Sequence, residues 1–116
     1  MLSWNQIYEA TAEAAGVDTL DVVHIASDFI VECMPERQGG LHGDKSASVV
    51  LDNTKIKRYV PDFVATCRFR DGIKQSIAWY DADPARQLID GKINAEFDKL
   101  VSAYRNGLNA ALRQFD

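Results

Sequence analysis

What this sequence is short of narrows its function first. It holds only two cysteines, Cys33 and Cys67, far apart and in no metal-ligand spacing. The expected state is a pair of free, buried thiols in a cytoplasmic protein rather than a disulfide. No histidine lies beside either one in sequence, and neither is expected to be a reactive thiol. The two histidines, His24 and His42, have no clustered carboxylates beside them, which argues against a metal role. No apolar run approaches the roughly 20 residues of a membrane-crossing helix, so no membrane partner is expected. The opening MLSWNQIYEA lacks the basic and apolar regions of a secretory signal, and a methionine directly before a capping box fits an artificial or truncated start. A basic surplus is missing too. Thirteen Lys and Arg against 17 Asp and Glu leave a net charge of −4, which argues against a nucleic-acid partner.

What is present is an ordinary globular composition, 47% hydrophobic and 26% charged, in 116 residues. That length fits one modest domain over residues 1–116, with a thin margin of stability. Ser3 and Gln6 have the form of a capping box, and Trp4, Ile7, Tyr8, Thr11 and Ala15 recur on one helical face before Gly16 stops the helix. Val22-Val23-His24-Ile25 reads as a short strand, with His24 half-buried or on its outer face. Ser27-Asp28 is positioned to cap a short helix that ends before Pro35. PERQGGLHGDK, ending at Lys45, is rich in glycine and charge and reads as a loop. Ser48-Val49-Val50-Leu51 reads as a second strand. Asp52 or Asn53 then caps a short helix stopped by Pro61. A brief extended piece at Thr66 to Arg68 precedes a helix in which Phe69, Ile73, Ile77 and Tyr80 share a face, with Trp79 beside it. Trp79 and Tyr80 are expected in the core. Asp83-Pro84 breaks the chain, and Asn94 is placed to cap a long amphipathic helix through Phe97, Leu100 or Val101, Tyr104, Leu108, Ala111 or Leu112, and Phe115. The expected fold is α+β: a helix-rich small domain with two or three short strands.

The order of these pieces resembles the C-terminal part of the extended short-chain dehydrogenases/reductases of the NAD-dependent epimerase/dehydratase type. SWNQIYEATAEAAG, then GDKSASVVLDNTKIKRYVPDF, then FRDGIKQSIAWYDADPARQ carry the likeness, from Ser3 to about Gln87. The resemblance implies a substrate-binding domain for a sugar-type, nucleotide-sugar-like small molecule, working beside a missing Rossmann domain. NAD or NADP is expected in the parent enzyme and no cofactor in this chain. The seven glycines never form G-x-G-x-x-G, the turn that brings a pyrophosphate onto a helix N-terminus. No tyrosine is followed four residues later by lysine, so the family's acid/base pair is absent and no catalytic residue is assigned.

The family's R-x-G-D loop aligns on Gly43-Asp44, which puts Leu41 where the phosphate-binding arginine stands. Either a neighbour such as Arg37, His42 or Lys45 supplies that charge, or the substrate is not a typical nucleotide-diphosphate sugar; the candidate substrate-binding residues are Arg37, His42, Gly43, Asp44 and Lys45. The plain alternative is a surface loop in which Asp44 fixes a turn. Lys55, Lys57 and Arg58 read as a solvated helix face or, alternatively, an anion patch. A second function class stands beside the first: a free-standing helical interaction or dimerisation module. Either reading leaves apolar surface uncovered and implies self-association into a homo-oligomer.

Overall fold

The computed structural model describes residues 1–115. The chain forms two compact units. One comprises Met1–Asp21 and Val49–Gln87, the other Val22–Ser48 and Leu88–Asp116. The described residues are 63% helical and contain no strand, which overturns the α+β expectation. Residues 22–25 and 48–51 carry β-branched side chains but lie in irregular chain. The burial pattern of a strand persists at 22–25, where Val23 and Ile25 are half-buried while Val22 and His24 are exposed. Alternation comes from the residues themselves. A ladder of hydrogen bonds needs a second segment in register, and local preference cannot supply one. At the second run Val49, Val50 and Leu51 are 71%, 69% and 86% exposed, with no apolar face to hold them. The extended piece at 66–68 is irregular as well.

The first unit is built on helix α1, Trp4–Ala14, packed against α4, Phe69–Asp81. Ser3 Oγ accepts from the Gln6 amide while Gln6 Oε1 accepts from the Ser3 amide, closing the capping box at 3.3 and 2.8 Å. At the other end Gly16 takes φ +69°, the one positive φ among the described residues. That conformation lets the Val17 amide reach the Ala12 carbonyl at 2.9 Å and the Gly16 amide reach Glu13 at 3.2 Å, satisfying carbonyls the helix leaves open. The small side chains Ala10 and Ala12 are the buried residues of α1, and the Glu13–Arg70 ion pair lies 3.3 Å apart.

α3, Thr54–Tyr59, is begun by Asp52, whose carboxylate accepts from the Thr54 amide at 2.9 Å and its hydroxyl at 2.7 Å. The Thr54 hydroxyl, then its amide, holds the Asp52 carboxyl below its usual range. The C-terminus of α4 is closed by the turn Pro84–Arg86. Arg86 Nη1 donates to the Trp79 carbonyl at 2.6 Å, with its guanidinium 4.2 Å over the Trp79 ring. A cation there complements both the helix dipole and the ring face. Trp79 and Tyr80 are nevertheless 54% and 48% exposed, so neither is the core residue expected.

The second unit pairs α2, Ser27–Cys33, and two tight turns with the long α5, Gly91–Leu112. Ser27 is the first residue of α2 and Ala26 its cap position, so the expected side-chain cap is absent. α5 starts earlier than expected. Asp90, not Asn94, caps it, accepting from the amides of Lys92 and Ile93 at 3.0 and 3.1 Å. Leu100 is 6% exposed, and Phe29 meets Tyr104 edge to face at 5.4 Å between centroids. Both cysteines are free but exposed rather than buried.

Candidate functional site

Every residue singled out from PERQGGLHGDK lies in the second unit. The segment is not the loop expected. Pro35 sets the first position of a 3-10 turn, Pro35–Arg37, closed by the Arg37 amide on the Met34 carbonyl at 3.0 Å. A wider π-type turn, Gly39–Asp44, follows, and the Lys45 amide reaches back five residues to the Gly40 carbonyl at 2.9 Å. Side chains that are small or absent make such a wide turn easy to form, and turns of this class recur at functional sites. Half-buried Leu41 ties it to the unit.

These turns shape a groove of about 370 Å³. Ile30, Met34, Leu41 and Phe97 give it apolar walls, while Arg37, Lys45 and Glu36 bring charge to it. Arg37 lies with its guanidinium carbon 5.8 Å over the Phe97 ring. Its Nη2 is 3.6 Å from Glu96 of α5 and its Nε 3.7 Å from Glu36. Both separations are longer than a hydrogen bond, and the buried Nε finds no acceptor among the described residues. Lys45 Nζ sits 3.4 Å from the Asp44 carboxylate and beside Gly40, where an added Cβ would meet it at an ordinary contact distance of 3.7 Å.

The groove thus joins two of the five candidates, Arg37 and Lys45. His42 turns to another depression, where its Nε2 lies 3.0 Å from Asp28 with Glu32 and Gln38 nearby. Gly43 serves the turn through its carbonyl, which accepts from Ser46 Oγ at 2.9 Å. Asp44 meets the groove only through Lys45. Glu36 and Glu96 carry no mark of a site in the sequence, and Phe97 stands there only as part of an apolar stripe. Lys92 and Glu96 at i, i+4 were a visible signal for a charged helix face, but the Arg37 contact spans distant parts of the chain. Lys55, Lys57 and Arg58 are exposed on α3, as a solvated face requires.

Chemically the groove can offer a planar cation, a point cation and an aromatic face to a ligand with an anionic and an apolar part. Among the described residues no group of His, Cys, Asp and Glu could hold a metal ion, and no helix is long and apolar enough to cross a membrane. Comparison with protein-family models, curated proteins and solved structures finds no match for this chain.

Proposed function

We propose that this chain is the substrate-binding part of an NAD-dependent epimerase/dehydratase of the extended short-chain dehydrogenase type, not catalytic alone. It would take a sugar-type small molecule carrying an anionic group, with NAD or NADP held by a separate Rossmann domain. The ordered run of motifs from Ser3 to about Gln87 supports the family reading. The observation that carries the binding reading is the convergence of Arg37 and Lys45 on one apolar-walled groove. Arg37 supplies two-pronged donors and Lys45 a mobile charge, a pairing suited to phosphate or carboxylate oxygens. Free, exposed thiols fit a reducing compartment, and we place the protein in the cytoplasm.

Calorimetric titration with a panel of sugar phosphates and nucleoside-diphosphate sugars tests the reading. Saturable binding of at least one, weakened tenfold or more in Arg37→Ala and less in Lys45→Ala, is the expected result. Equal binding by wild type and both variants, or no binding across the panel, rejects it.

A second reading, a helical self-association module, draws on α5. Ile93, Phe97, Leu108 and Leu112 on that helix are 42–54% exposed. Concentration-dependent sedimentation that disappears in Leu108→Glu, together with no binding across the sugar panel, would favour this reading. A monomer at all concentrations removes it.

A further inference from the structure

Arg37 is the best-placed cation of the groove, yet it is already engaged. Glu96 lies 3.6 Å from its Nη2 and Glu36 3.7 Å from its Nε, and the guanidinium rests over Phe97. The Arg37 and Glu96 side chains are 39% and 37% exposed, so solvent reaches the pair. An incoming anion must therefore take Arg37 from a carboxylate already beside it.

We infer that Glu96 is an internal competitor for Arg37, a carboxylate from α5 that holds the cation until an anionic ligand displaces it. The inference rests on the substrate-binding reading above and adds a regulatory contact to the same groove.

Three features make the holding contact displaceable. Its 3.6 Å separation is that of a loose ion pair rather than the two-pronged hydrogen-bonded fork an arginine can form. The buried Nε–H has no acceptor in this arrangement, so the held state leaves a donor unfilled that a ligand oxygen can satisfy once the guanidinium turns. Glu96 also has somewhere to go, because Lys92 lies one helical turn back at 4.0 Å, its side chain 86% exposed. In the ligand-bound state the anion pairs with Arg37 and Glu96 with Lys92, so no carboxylate is left without a cation. Glu36 is a weaker competitor. Its side chain is 64% exposed and adjacent to Arg37 in sequence. Since Glu96 belongs to α5, the same contact links ligand entry to the position of that helix.

Pyrophosphate titrated into the full 116-residue chain at low salt provides the test, with Glu96→Gln, Asp98→Asn and Arg37→Ala run in parallel. Asp98 is exposed on the same helix and controls for the loss of one negative charge. Glu96→Gln is expected to bind about two- to fivefold more tightly than wild type, the worth of a half-exposed ion pair. Asp98→Asn should change affinity less than that, and Arg37→Ala should abolish binding. If Arg37→Ala abolishes binding while Glu96→Gln matches wild type, the competitor role is wrong and the substrate reading stands. Equal tightening in Glu96→Gln and Asp98→Asn also overturns the competitor role, because any removed charge would then serve. Binding that survives Arg37→Ala, or no binding by any form, overturns both.

Discussion

In the first unit α1 packs against α4, its buried residues are the small Ala10 and Ala12, and both its ends are closed by hydrogen bonds, with the Glu13–Arg70 pair joining the two helices. In the second, charges gather: Asp28 with His42, Glu36 and Glu96 with Arg37, Asp44 with Lys45. Packing and capping account for the first arrangement without a ligand. The second is harder to explain by stability, because partly exposed ion pairs contribute only about 0–1 kcal/mol each. Charged groups around an apolar-walled groove have a reason to be there if a charged small molecule enters it.

The contrast breaks first at Leu100, the buried anchor of the charged unit. Leu100→Ala is expected to cost about 2–3 kcal/mol, near the low end for such truncations because a groove beside the residue lets neighbours relax. Urea unfolding followed by the Tyr104 ring resonances in NMR spectra would read it. A loss under about 1 kcal/mol would mean that the second unit is not organised on this side chain.

A smaller effect tests the capped unit. Gly16→Ala is expected to cost about 1–2 kcal/mol, the penalty of a left-handed backbone for an L-residue. Nothing lies within 4 Å of an added Cβ, so the whole cost comes from φ +69° and none from a clash. Gly16→Asn should cost less, since asparagine tolerates that region. Amide exchange along α1 measures both, and equal protection in all three proteins would remove the glycine's special role.

The smallest effect depends on pH. Asp52 is held below its usual carboxyl range by the Thr54 hydroxyl and amide, so its ionised form favours the folded state. The contribution is complete above the ordinary carboxylate range and is lost as pH falls through the lowered value. Acid should therefore fray α3 first at Thr54, visible as a shift of its amide resonance, while Asp52→Asn shows no such pH step. A Thr54 amide indifferent to acid in both proteins would contradict the cap.

How much could be read from the chain follows distance in sequence. Ser3 with Gln6, Gly16, and Asp52 before Thr54 act over two to five residues, and each does in the structure what its chemistry predicts. The strands at 22–25 and 48–51 required partners from elsewhere, which β-branched composition cannot guarantee. Asp90 rather than Asn94 caps α5, because at the first turn an aspartate cap offsets the cost of about 1 kcal/mol that Gly91 brings. In the site, Arg37 and Lys45 were legible as the cations of a glycine-rich segment. Glu96 was not, because its meeting with Arg37 depends on how α5 packs.

The proposed function has the second unit bind an anionic sugar-type molecule at the Arg37–Lys45 groove. Amide and arginine side-chain NMR spectra, recorded while the tightest ligand of the panel is added, test this most directly. Saturable shifts are expected at Ile30, Arg37, Gly40, Lys45 and Phe97, with the α1 and α4 resonances unmoved. Shifts centred on α1 or α4, or none that saturate, would contradict it.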